Sequence, residues 1–331
     1  MPNPYISGTG FYLPPKVINN HDLSQFMDTS DEWIKERTGI NERRYVESGV
    51  GPSDLAIPAV EQALSSAGLE VRDIDFIIFA TSTPDYYAPG AGCLLQDKMG
   101  FNEIGALDIR VQCSGFIYGL SIAEQYIRTG TFKNILLIGS EVQSTAMNLS
   151  DEGRDTAIIF GDGAGAAIIS STEDKKGILS THMHSEGKYV KELWVESPAS
   201  NAGNPRINSK DLDQGKQFLK MNGSEVFRHA VKRFPEVIYE GLQYNKLAPE
   251  DINLLIPHQA NLRITKMVQK KLGLQNNQVF SNIHKYGNTT AATIPIALAE
   301  AVNQNKINDN DIIVFAAFGS GFTWASAIIK W

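Results

Sequence analysis

Strand and helix signatures that alternate along the chain, and run through the same order twice, predict a duplicated α/β protein. Three observations carry this. The stretch GLEVRDIDFIIFATS, an acidic turn followed by an apolar strand, has a counterpart in KLAPEDINLLIPHQAN. Each leads to a helical segment ending in a similar word, DKMGF in the first and KKLGL in the second. FIIFA is continuously apolar, as a strand covered on both faces must be.

In chain order, residues 58–67 (PAVEQALSSA) read as a helix with Pro58 near its start and Gly68 at its end. The FIIFA strand comes next. Cys113 and Asn288 stand at comparable points of the two repeats, each just before an apolar helix, and those helices lead to the strands ILLIGSE and DIIVFAAFGSG. The more polar stretch from Thr172 to about Gly215, with its turn-rich SPASNAGNPR, is expected to connect a first half, 1–172, to a second, 173–331. Ile312 to Ile329 carries no charge and reaches the length of a membrane-spanning helix. However, Gly319, Ser320 and Gly321 divide it, and Val, Ile, Phe, Thr and Trp fill both parts. It therefore reads as two buried strands joined by a tight turn.

A chain of 331 residues, 42% hydrophobic and 20% charged, suits a soluble globular protein with enough material for two cores. The net charge of −7 argues against a general nucleic-acid binder while leaving room for a local basic patch. Cys93 and Cys113, the only cysteines, form neither a disulfide framework nor a metal-type spacing, so a reducing, cytoplasmic setting is expected. The start, MPNPYISGTG, lacks the charged-then-apolar pattern of a signal peptide.

Three polar side chains carry the chemistry. Cys113, in DIRVQCSGF, precedes the apolar helix FIYGLSIAEQYI, where free N–H groups and the helix dipole are expected to lower its thiolate pKa. A buried structural cysteine is the alternative, and Cys93 is read that way. His258, in IPHQAN, follows an apolar strand at its carboxyl end, where α/β sheets gather ligand groups. Asn288, in YGNTTAATIP, is suited either to capping the next helix or to donating from its amide, and those tasks need different atoms. A thiol, an imidazole and a carboxamide together suit acyl transfer and the stabilisation of an enolate. In GDGAGAA the glycines Gly161, Gly163 and Gly165 are read as close backbone packing rather than a phosphate cradle. His182 and His184 share one face of a strand but have no third ligand, so no metal is assigned to them.

Taken together, TSDEWIKERTGINERR, the Cys113 segment, RDTAIIFGDGAGAAII, PHQANLR, GNTTAATIP and FGSGFTWASA make the chain resemble the β-ketoacyl-acyl-carrier-protein synthase III family almost end to end. These are the initiating condensing enzymes of bacterial fatty-acid synthesis, within the thiolase superfamily. The resemblance implies a five-layer αβαβα thiolase-like fold, a homodimer, and no cofactor, acyl-CoA being a substrate. It implies that Cys113 takes the acyl group and that His258 and Asn288 hold the malonyl thioester oxygen as CO2 leaves. The backbone N–H groups of Cys113 and Ser320 would form a second oxyanion site. Ser320 stands where the family often has glycine.

By the same resemblance, Trp33, Arg37 and Arg154 contact CoA, with Trp33 on a helix opened by a possible capping box, Thr29 to Glu32. Gln259, Arg263, Lys266, Lys270, Lys271 and Arg228 would meet an acidic acyl carrier protein. Ala88 takes the place of a bulky side chain that closes the partner's acyl channel, and Arg110 and Gln112 replace small residues, which implies room for a primer longer than acetyl. These departures keep open a secondary-metabolite synthase or acyltransferase. A non-catalytic carrier-binding subunit fits less well, since all three polar residues are kept. A thiolase is disfavoured because no second cysteine lies near FGSG.

Overall fold

The computed structural model describes residues 2–331. Its first sheet takes strands in the order 3–12, 163–172, 134–141, 76–80, 105–109, and its second in the order 177–185, 323–330, 312–319, 254–257. The duplication predicted from sequence is visible in the pairing. Strand 76–80 runs parallel to 134–141, as 254–257 does to 312–319, and each central strand is followed across the sheet by antiparallel neighbours. Strand 105–109 pairs in parallel with 76–80; in the second half its place holds only an isolated bridge, Leu255 to Val279.

Alternation of side chains along these strands builds the layers. Ile78, Leu137 and Phe315 enter a central cluster that also takes Phe116 and Leu120 from helix 115–128 and Ile294 and Leu298 from helix 293–303. Their chain neighbours Ile77, Phe79, Leu136 and Ile138 face the opposite way, toward helices 52–67 and 91–99. Val314, Ala316 and Phe318 face helices 223–244 and 262–272. Two sheets thus enclose one pair of helices and are covered by two others, giving the five-layer αβαβα order. Residues 312–319 and 323–330 are the two buried strands expected there. Among the described residues no helix is long and apolar enough to cross a membrane.

Local signals were shifted in three places. The first long helix spans Pro52–Ala67, so Pro52 rather than Pro58 occupies its first turn, and Asp54 accepts from the Gly51 N–H at 2.9 Å. Gly68 ends it in the left-handed conformation, φ 67°. The helix carrying Trp33 spans Asp31–Thr38 with Ser30, not Thr29, as its cap; the Trp33 N–H donates to Ser30 Oγ at 3.2 Å, so the reciprocal box does not form. The 172–215 stretch is more than a connector: residues 177–185 are an edge strand of the second sheet, polar because only one of its faces is covered. His182 and His184 on that strand both meet a single carboxylate, Glu240, at 3.4 and 2.6 Å.

The GDGAGAA glycines act through contact. A methyl on Gly165 would lie 2.6 Å from the Ile296 nitrogen, so helix 293–303 rests directly on strand backbone. Between the glycines, buried Asp162 accepts from the Val46 and Ser144 N–H groups and from Ser144 Oγ, tying three segments together.

Phe315 is fully buried with its ring 6.4 Å from that of Phe116, across the helix–sheet boundary. Phe315→Ala should cost about 3–5 kcal/mol in urea unfolding. A loss below about 1 kcal/mol would mean that this layer is loosely packed.

Candidate active site

Cys113 follows the edge strand 105–109 through a tight 112–114 turn in which Gln112 has φ 44°, a strained value for a residue with a side chain. The turn aims the thiol inward at the start of helix 115–128. Opposite it runs the 319–321 turn, so close that a methyl on Gly319 would lie 2.6 Å from Cys113 Cβ and 3.0 Å from Sγ. Only glycine fits there. The backbone N–H groups of Cys113 and Ser320 lie near enough to the sulfur to favour its thiolate form. Ser320 turns its hydroxyl away, onto the Leu193 carbonyl, and keeps a negative φ, which is why serine serves in a glycine-rich turn.

The expected low thiol pKa is not found. Burial, followed by the nearby Glu141 charge, pushes Cys113 up to about 12, and the two N–H groups only partly offset this. At rest the sulfur is therefore the neutral thiol. The helix dipole expected to ionise it is outweighed by desolvation.

His258 directly follows strand 254–257, its N–H donating to the Ala316 carbonyl at 2.8 Å. Burial lowers its pKa to about 3, so the ring is neutral. Nδ1 lies 2.6 Å from Thr293 Oγ1, while the buried Nε2 has no protein partner. Asn288 is the N-cap of neither turn 290–292 nor helix 293–303; its amide instead closes a local turn. Its Oδ1 accepts from the Thr290 N–H at 2.8 Å, and its Nδ2 donates to no protein group among the described residues. Cys113, His258 and Asn288 are 6, 2 and 4% exposed, so all three lie where water competes little. Gly319 joins the second sheet to the thiol, and Thr293 joins helix 293–303 to the imidazole. A methyl on Gly115, beside the nucleophile, would lie 3.5 Å from Ala291 Cβ in the Asn288 loop.

Sequence reasoning passed over Glu141, the last residue of ILLIGSE. It is completely buried and accepts from the Ser82 N–H, the Ser82 and Thr83 hydroxyls and, at 3.4 Å, the Ala291 N–H. Desolvation outweighs these donors and raises its pKa to about 7. One carboxyl thus binds the 81–83 loop to the Asn288 loop near Cys113. An acid ending an apolar strand inside a repeated α/β unit was the signal available.

Trp33, Arg37 and Arg154 come together. Both guanidiniums lie over the indole, at 4.4 and 4.8 Å from its centroid, beside a cleft of about 340 Å³ lined by Asp28, Thr29, Ser30, Trp33 and Arg154. Trp33 also packs one side against the cluster of Leu23, Ile34 and Ile40, so it anchors its helix as well.

Of the basic-surface residues, Arg263, Lys266, Lys270 and Lys271 are exposed on helix 262–272 and form no ion pair among the described residues. Arg228 is exposed and paired with Glu225. Gln259 is a correction. It is 1% exposed, and its amide is consumed internally by the Pro257 carbonyl, Ser281 Oγ and the Asn282 N–H, so it meets no partner surface. Ala88 and Arg110 are exposed and Gln112 half-buried, with the Arg206 guanidinium 4.2 Å over the neighbouring Tyr87 ring.

Two family models match the chain: 3-oxoacyl-[acyl-carrier-protein (ACP)] synthase III over residues 107–187 and its C-terminal part over 242–331. Over 326 residues the chain is 46% identical to the β-ketoacyl-[acyl-carrier-protein] synthase III of Caldanaerobacter subterraneus subsp. tengcongensis, covering 98% of this chain and 97% of that protein. The crystal structure of 3-oxoacyl-[acyl-carrier-protein] synthase III from Aquifex aeolicus VF5 matches with a TM-score of 0.90 and 41% identity, over 99% of this chain and 100% of that one. The priming β-ketosynthase of the R1128 polyketide pathway matches with a TM-score of 0.90 and 27% identity, over 99% and 96%. The fold is thus that of the thiolase-like condensing enzymes. The chain belongs to the β-ketoacyl-[acyl-carrier-protein] synthase III family and is an acyltransferase of that type.

Because the Glu141 pKa is raised from 4.5 to about 7 in the folded state, its contribution is fully present below pH 4.5 and is lost as pH rises through 7. Relative to wild type, Glu141→Gln should therefore gain stability between pH 4.5 and 8, by up to about 3 kcal/mol. Urea unfolding across that range measures it. A pH-independent difference would place this carboxyl in the ordinary range.

Proposed function

We propose that the protein joins an acyl primer from acyl-CoA to malonyl-acyl-carrier protein, with loss of CO2, and so initiates fatty-acid synthesis. The observation that carries this reading is the pair of nitrogens without a protein partner, His258 Nε2 and Asn288 Nδ2, on buried side chains of segments that pack around the buried thiol.

In the first half-reaction Cys113 attacks the acyl-CoA carbonyl. The N–H groups of Cys113 and Ser320, already directed at the sulfur, hold the developing oxyanion. The carbon–sulfur bond to CoA breaks, and CoA leaves as the thiol. In the second, the bond between the malonyl methylene and its carboxylate breaks, and its electron pair becomes the enolate. His258 and Asn288 hold the enolate oxygen, so no strong base is needed to make the carbanion. The enolate carbon attacks the acyl thioester, and Cys113 departs and is reprotonated.

Trp33, Arg37 and Arg154 suit an adenine ring and phosphates. The carrier side is supported by the unpaired stripe Arg263, Lys266 and Lys270, at i, i+3 and i+7 on one helix face. That helix starts beside the CoA cleft: Asn261, its cap, donates to the Arg37 carbonyl at 3.0 Å. Both substrates, each carrying a phosphopantetheine arm, thus share one entrance. The edge strand Gly105–Ile109, with half-buried Ala106, Leu107 and Ile109, suits a second copy of the chain and a homodimer.

A second reading, a priming synthase of secondary metabolism with a longer acyl group, is favoured by exposed Ala88 and Arg110 and by the likeness to the R1128 enzyme. Intact-protein mass spectrometry with an acyl-CoA series, followed by malonyl-carrier addition, tests both. Short primers should load best under the first reading and medium-length ones under the second. Cys113→Ala should lose all acyl adduct, whereas His258→Ala or Asn288→Ala should load normally and release CO2 on the order of 100-fold more slowly. Normal condensation by His258→Ala would remove it from the mechanism. Arg263→Glu should lower malonyl-carrier turnover about tenfold or more, with acyl-CoA loading unchanged. Equal losses in both half-reactions would argue against carrier docking on that stripe.

A further inference from the structure

A neutral imidazole carries one N–H, and only if that hydrogen sits on Nε2 does His258 face the pocket as a donor. The choice is made at the other nitrogen. Nδ1 lies 2.6 Å from Thr293 Oγ1, the shortest polar contact of the ring, and Thr293 is itself 2% exposed at the first turn of helix 293–303. Its hydroxyl has a single proton and two acceptors within reach, His258 Nδ1 and, at 3.0 Å, the Thr290 carbonyl. Donation to the carbonyl would place the imidazole hydrogen on Nδ1 and leave Nε2 a bare lone pair. That lone pair would repel the oxygen that Asn288 Nδ2 attracts.

We infer that Thr293 is a positioning residue that donates its hydroxyl proton to His258 Nδ1 and thereby fixes the imidazole as an Nε2–H donor. This inference rests on the decarboxylating role given to His258 above. The shorter contact goes to the nitrogen, as a strong O–H···N bond requires. No other protein group is bonded to either ring nitrogen among the described residues, so this one hydroxyl sets the tautomer.

Thr290 completes the brace. It is buried at φ 51°, and its N–H holds Asn288 Oδ1 while its carbonyl lies against Thr293 Oγ1. One strained residue therefore orients the carboxamide directly, and the imidazole at one remove.

The test reads the tautomer apart from activity. In 15N-histidine-labelled wild-type protein, NMR should find His258 with a protonated Nε2 and an unprotonated Nδ1. Thr293→Val, which keeps the shape but not the hydroxyl, should move the ring toward Nδ1–H or a mixture. It should retain the Cys113 acyl adduct and lower kcat for malonyl-carrier decarboxylation about 100-fold with little change in KM. Thr293→Ser should restore both signals, and the retained acyl adduct shows that the valine variant is folded. An Nδ1–H tautomer in the wild type, or undiminished decarboxylation by Thr293→Val, would overturn the inference. A wild-type protein with the Nε2–H tautomer but no decarboxylation would instead overturn the proposed reaction and leave the tautomer assignment standing.

Discussion

The close packing of helices 115–128 and 293–303 between two sheets is the constraint on which the site depends. The first helix begins beside Cys113 and the second at the residue that touches His258, so any slack between the layers would separate these side chains. Slack is removed by contact with backbone rather than with side chains. Gly165 lets helix 293–303 rest on the first sheet, and Gly319 lets the second sheet touch Cys113. Apolar side chains such as Phe116 and Phe315 fill what remains and supply most of the stabilisation.

Burial then gives the pocket its electrical character. It holds the thiol and imidazole neutral and raises the nearby carboxyl, Glu141, to about pH 7. A neutral pocket has little charge of its own to screen. Its N–H dipoles, fixed by the fold, act at full strength on charge that appears only during reaction. The cost is a thiol that does not ionise at rest, only partly offset by the Cys113 and Ser320 N–H groups.

Much of this was legible in the residue pattern, and the limits have physical causes. Repeated strand–helix words predicted the duplicated α/β fold because periodicity reports burial directly. The two strands of 312–330 were readable because a glycine-rich turn interrupts an uncharged run. The edge strand 177–185 was not, since one exposed face makes its composition resemble a loop. The thiol pKa was misjudged because the helix start is visible in sequence whereas the depth of burial is set by both halves together. Gln259 was assigned to a carrier surface by resemblance; two residues before Asn261, the cap of helix 262–272, the chain turns it inward. Thr293 and Glu141 lay in words already noted, but their roles depend on pairing across 35 and 150 residues of chain.

Asn288 shows why the site tolerates so little rearrangement. A side-chain amide has one acceptor and one donor end, and here the acceptor is spent on the Thr290 N–H, which orients the donor. Aspartate at this position would keep the acceptor for the Thr290 N–H and lose the donor, while alanine would lose both. The strain at Thr290, like that at Gln112 before the nucleophile, is sustained by the surrounding packing rather than by local preference. The two strained residues lie beside Cys113 and Asn288, at comparable points of the two repeats. The geometry of the chemistry is thus a property of the assembled layers, and neither half of the chain contains it alone.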